Sequence, residues 1–96
     1  MILTILSALA EPTRLAAVRL LADGDEHCVC ELMQVLEATQ SRMSRHMQVL
    51  KQAGLVVDRR DAQWVRYRLN PDLPERVAGV VDAVLKVETE QGRAAA

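Results

Sequence analysis

The chain of 96 residues has no phenylalanine, one tryptophan, one tyrosine and two cysteines, and its formal net charge is −1. So few aromatics leave no platforms for stacking the splayed bases of a single strand. Two cysteines are too few for the disulfide framework of a small secreted domain. The near-neutral balance argues against a nucleic-acid binder that is basic all over. No apolar run approaches the roughly 18 residues of a membrane span, and the N-terminus lacks the basic start and long apolar stretch of a secretion signal. A cytoplasmic protein with no membrane partner is expected. Repeats and low-complexity linkers are missing, as is any Ser/His/Asp set or phosphate loop, so an enzyme would lack its chemistry.

What is present suits one small core, since half of the residues are apolar and 26% charged, in a chain too short for a second core. The average charge hides an asymmetry. Between Gln40 and Arg68 stand Arg42, Arg45, Lys51, Arg59, Arg60, Arg66 and Arg68 against only Asp58 and Asp61. Both ends are acidic by comparison, which is the footprint of a binding face confined to one region.

Helical spacing appears first in Ile2, Leu3, Leu6 and Leu9. Glu11-Pro12 opens a second helix, with proline where its missing N–H costs nothing; Leu15, Val18, Leu21 and Ala22 form its apolar stripe and Gly24 stops it. A third helix from about Val29 to Leu36 turns Leu32, Val35 and Leu36 inward. A fourth, from about Gln40 to Ala53, has Thr39 as N-cap and Gly54 as its stop. Turning about 100° per residue puts Met43, Met47 and Leu50 on one face with His46 at its edge, and Ser41, Arg45, Gln48 and Gln52 on the other. Such an outward face suits a DNA major groove, where Arg bonds guanine, Gln pairs with adenine, and Ser meets bases or phosphates.

Leu55 to Arg60 and Trp64 to Leu69 read as two strands around Asp61-Ala62-Gln63, rich in β-branched and aromatic residues. Arg59, Arg60 and Arg66 make this hairpin a basic wing, and Trp64 and Tyr67 are expected to pack it onto the helices. The fold class is therefore mainly α with one β-hairpin, a winged helix-turn-helix filling residues 1–96 as a single domain. Its recognition helix is expected at about 40–53, its wing at about 55–69 and a dimerisation helix at about 75–89. That last helix follows the break Asn70 to Pro74 and carries Val77, Val80, Val81, Val84 and Leu85 in one stripe; Gln91 to Ala96 read as frayed. A small chain cannot easily cover this stripe together with Leu6 and Leu9. A twofold partner burying both terminal helices solves that, forming a homodimer with two recognition helices about one DNA turn apart.

The two cysteines lie in His27-Cys28-Val29-Cys30-Glu31-Leu32. Paired thiolates take thiophilic ions, and in a reducing compartment such a pair is expected to bind metal or act in redox chemistry rather than close so short a disulfide loop. If both were helical, residues i and i+2 would lie about 200° apart, so chelation is expected to hold open the first turn of the third helix.

Four segments together carry a family resemblance. They are Ala8 to Leu15, Cys28 to Leu32, Thr39 to Met47 with Leu50 to Val56, and Trp64 to Leu69, whose order and spacing cover about residues 6–74. The chain resembles the ArsR/SmtB family of metal- and metalloid-responsive winged-helix repressors, in its arsenical-resistance branch. The resemblance implies a homodimeric repressor on double-stranded operator DNA with an inverted repeat, released by an inducer, As(III) or Sb(III), at Cys28 and Cys30. It implies DNA contacts by Gln40, Ser41, Arg42, Ser44, Arg45 and His46, although the helical wheel gives His46 an equal claim to a structural hydrogen bond. The family's zinc site on the last helix needs histidines that are missing here. The arsenic branch carries a third cysteine where this chain has Met33, a weak neutral ligand read as core packing. Two thiolates would then hold As(III) or Sb(III) with water or an added thiol, or a methylated arsenical that needs only two. A redox sensor using the same thiols, and a cadmium or zinc sensor recruiting His27, Asp25 or Glu31, remain alternatives.

Overall fold

The structure, a computed structural model, describes residues 1–95, with side chains described through Val87. Five helices and a three-stranded sheet follow in the order α1 Ile2–Leu9, α2 Pro12–Leu20, β1 His27–Cys28, α3 Val29–Leu36, α4 Gln40–Gln52, β2 Val56–Asp61, β3 Trp64–Leu69 and α5 Glu75–Ala95. The expected winged helix-turn-helix is present.

Local chemistry sets most boundaries. The Glu11 carboxylate accepts the backbone N–H of Arg14 at 2.8 Å, with Pro12 in the first turn, and the Thr39 hydroxyl accepts that of Arg42 at 3.3 Å. Each satisfies a donor that the start of a helix leaves without an intrahelical partner. After α2 a 3-10 turn over Leu21–Asp23 ends at Gly24, whose φ of 83° suits glycine. That turn buries Leu21 but leaves Ala22 exposed, and Ala17 takes the buried place expected of Ala22. In α3 the inward stripe is Val29, Leu32, Met33 and Leu36. Val35 sits roughly 110° from the centre of that stripe and is 54% exposed, which corrects its expected inward position.

α4 packs against α1, α2, α3 and β2, and Met43, Met47 and Leu50 have no exposure at all. α5 runs past the expected end near Thr89 to Ala95, through a stretch without proline and ending in alanines that favour helix; Ala96 lies outside the described residues. The core corrects two expected interface residues. Leu9 and Val81 are closed inside this chain's own core, together with Ile5, Ala8 and Val18. Leu6 stays exposed, as do Met1, Ile2, Leu3 and Val87. Val80 and Val84 are half-buried, whereas Val77 and Leu85 pack against the core.

β1 was not expected. His27 pairs with Tyr67 and Cys28 with Arg66, so the sheet order is β1-β3-β2. Two residues are too short for any period to show. Tyr67 is buried as expected, but Trp64 is 38% exposed beside the turn, opposite Asp61; the hairpin extends beyond the helices there, so the tryptophan does not pack onto them.

The turn Ala62-Gln63 holds Ala62 at φ 57°, a left-handed conformation that costs a residue with a Cβ about 1–2 kcal/mol. Ala62→Gly should therefore stabilise the fold by about 0.5–1 kcal/mol after glycine's greater chain entropy is subtracted. A denaturant midpoint equal to or below that of the parent would contradict this.

Candidate nucleic-acid interface and thiol site

Burial of one face of α4 decides what the opposite face can do. Gln40, Ser41, Arg42, Arg45, Gln48 and Gln52 are exposed, and Ser44 is half-buried. Arg42 and Arg45 have no acidic partner among the described residues. Their guanidinium donors are thus available to bases or phosphates. His46 turns the other way. Its Nδ1 lies 3.3 Å from Nη1 of Arg14 and 3.6 Å from Oε2 of Glu11, so the structural hydrogen bond is the role its geometry holds. Burial raises the Glu11 pKa, but hydrogen bonds from the backbone of Arg14 and Thr13 outweigh this and hold it below the ordinary range.

The wing's charge is partly spent within the protein. Arg59 gives Glu26 a two-pronged hydrogen bond, Nε at 2.9 Å and Nη2 at 2.7 Å. Arg66 donates from Nε to Asp61 at 2.7 Å, and Lys51 pairs with Asp58. The Arg59 bond holds the Glu26 carboxyl below its usual range, and the Arg66 bond does the same for Asp61. Arg60 is exposed without such a partner among the described residues. The three wing arginines are therefore unequal; Asp61 stands five residues from Arg66, but Glu26 lies 33 residues from Arg59, beyond the reach of any local pattern.

The thiol site sits where β1 becomes α3. Cys28 is extended at φ −66° and ψ 143° and caps α3, its Sγ accepting the Cys30 N–H at 3.3 Å. An N-cap residue lies outside the helical backbone. That change of direction at Cys28 places both sulfurs on one side with α3 helical from Val29. The structure joins the pair as a disulfide with Cα atoms 5.1 Å apart, within the usual span for bridged cysteines. Cys28 is buried and Cys30 exposed.

His27 does not join them. Adjacent strand residues point to opposite faces, and its ring is occupied, Nδ1 by Glu31 at 2.7 Å and Nε2 by Asp23 at 2.8 Å. The Asp23 hydrogen bond, supported by Glu31, raises its pKa against desolvation. Among the described residues no group of three His, Cys, Asp or Glu side chains is placed to hold a metal ion, and the set His27, Asp25 and Glu31 is not assembled around the sulfurs. Met33 packs against the core. Two sulfurs suit a ligand bound through two thiolates and do not make a three-thiolate site.

The description "Bacterial regulatory protein, arsR family" matches residues 11–57, from the cap of α2 through the thiol pair and α4 into β2. The arsenical resistance operon repressor of Escherichia coli is 41% identical over 86 residues, 90% of this chain and 74% of that protein. The chain belongs to the arsR family. Among solved structures, HlyU from Vibrio cholerae superposes with a TM-score of 0.76 at 33% identity over 88% of each chain. A homodimeric winged helix-turn-helix DNA-binding domain from Mycobacterium bovis, described as a possible ArsR-family regulator, gives 0.76 at 30% identity over 93% of this chain and 79% of that one. These relatives are transcriptional regulators and not enzymes. No described helix of this family member is long and apolar enough to cross a membrane.

The Glu26 carboxylate holds the guanidinium that a duplex phosphate would otherwise attract. Glu26→Gln should therefore tighten binding to any duplex and steepen the fall of log affinity with log salt by about one unit. Identical salt slopes for parent and variant would show that Arg59 stays off the DNA whatever its partner.

Proposed function

We propose that this arsR-family protein is a homodimeric repressor that reads an inverted repeat with α4 and leaves it when a thiophilic inducer bonds Cys28 and Cys30. One observation carries the reading. Cys28 caps the helix that precedes α4 and pairs in register with Arg66 of the wing, so a change at the sulfurs bears on both elements expected at the DNA.

Gln40, Ser41, Arg42, Ser44 and Arg45 would provide the groove face, with Arg60 the freest phosphate anchor of the wing. His46 would act behind them. Trivalent arsenic or antimony bonds thiolates covalently, which requires both sulfurs reduced, so the disulfide form is closed to such an inducer. With Met33 turned into the core, the pair fits As(III) or Sb(III) completed by water or an added thiol, or a methylated arsenical with two open positions. An inducer acts only through unequal affinity for the free and DNA-bound states. The dimer face would comprise Ile2, Leu3 and Leu6 of α1, exposed on the subunit, with the half-buried Val80 and Val84 of α5.

Release of a labelled duplex, first selected by the protein from a random library, tests the reading during titration with As(III), Sb(III), methylarsenite, Cd(II), Zn(II) and peroxide. Cys28→Ser and Cys30→Ser should each bind that duplex nearly as well as the parent and fail to leave it with arsenite. Release of the double variant at the parent's arsenite concentration would remove the pair from sensing. Leu6→Asp or Val84→Asp should yield folded monomers by sedimentation at tens of micromolar, whereas Val81→Asp, buried within the subunit, should unfold it by roughly 3 kcal/mol or more. A dimer unaffected by both surface charges would place the interface elsewhere.

A further inference from the structure

The geometry points to Arg14 as a positioning residue that sets the roll of α4 about its own axis relative to α1, and so aims Arg45 and its neighbours. This rests on the reading that α4 is the element that reads DNA.

Met43, Met47 and Leu50 give α4 a single buried stripe. Apolar packing is non-directional, so one stripe fixes a helix's distance from its neighbours better than its rotation. A roll of about 20° would carry an arginine tip, roughly 8 Å from the axis, through about 3 Å, a whole hydrogen-bond length. Directional bonds away from the centre of the stripe resist that motion, and His46 lies at its edge, about 40° from Leu50 and about 100° from Met47.

The bond to His46 comes from Arg14 of α2, and the same guanidinium grips α1. Its Nε donates to the Ala8 carbonyl at 2.7 Å and its Nη2 to that of Ser7 at 3.3 Å, while Nη1 meets His46 Nδ1 at 3.3 Å. Ser7 and Ala8 belong to the last turn of α1, where carbonyls run out of partners within the helix; the Ser7 carbonyl also accepts the Ala10 N–H at 3.2 Å. An arginine only donates, so its hydrogen bond to the ring is one that Nδ1 accepts. Glu11 closes the arrangement, accepting the Arg14 backbone N–H at 2.8 Å with its Oε2 3.6 Å from His46. One planar fork thus ties the helix proposed to carry half of the dimer face to the helix proposed to read the bases. Arg14 itself is half-buried behind α4, so its effect on DNA passes through His46.

The test compares the parent with Arg14→Lys, which keeps the charge but offers a single nitrogen that cannot span the three acceptors. Binding is measured to the duplex selected by the parent and to a scrambled duplex of the same composition, alongside thermal melting and sedimentation. Arg14→Lys should stay folded and keep the parent's oligomeric state and salt slope. Its affinity for the selected duplex should fall about tenfold, the scale of a mismatched base pair, while affinity for the scrambled duplex holds within about twofold. Equal losses on both duplexes, an unchanged preference, or failure of the lysine variant to fold would each overturn the positioning role. A parent that shows no preference between the duplexes would instead overturn the reading of α4 as the reader.

Discussion

Complete burial of Met43, Met47 and Leu50 is the constraint around which the rest is arranged. Each apolar side chain of this size gains about 1.5–3 kcal/mol from leaving water, and the three lie on one line along α4. That gain decides which face of the helix turns inward, with Arg42, Arg45 and the glutamines left in solvent. α1, α2, α3 and β2 pack against α4, so the scaffold of the subunit and the seat of its exposed polar helix face are one structure. That polar face is the reverse side of the most buried element.

The short strand β1 changes how the cysteines relate to that surface. Cys28 belongs at once to the sheet, through Arg66, and to α3, as its cap. Residues directly opposite in antiparallel strands share a face, which puts Cys28, Arg66 and Arg59 on one side of the sheet, where Glu26 also reaches Arg59. The thiol pair is therefore adjacent to wing charges that acidic side chains already hold. A repressor built this way contains, in the neutral total of its charges, a basic region whose strength depends on which arginines are paired internally.

Much of the fold was legible because it is written in local periods. The stripe of α4, the caps Thr39 and Glu11-Pro12, the strands around Ala62-Gln63 and the start of α5 each follow from residues within a few positions of one another. The thiol pair was equally plain. Less legible was which way a marginal side chain points. Val35 fits a helical stripe within its own short helix until Val29 and Met33 define the true centre, and Trp64 looks like hairpin packing until the wing is seen to extend past the helices.

The sequence by itself determined the helix-turn-helix and wing, the polarity of the two faces of α4, and the only two soft anionic ligands, since composition and spacing along the chain suffice for these. Tertiary structure alone decided that Leu9 and Val81 close inside the subunit, that Cys28 pairs in a strand with Arg66, that Glu26 holds Arg59, and that His46 turns towards Arg14. Each joins parts distant in sequence, as across the 32 residues from Arg14 to His46. No periodicity encodes such pairs, because a hydrogen bond or a buried contact depends on where the folded backbone places two side chains and not on how far apart they stand in the chain.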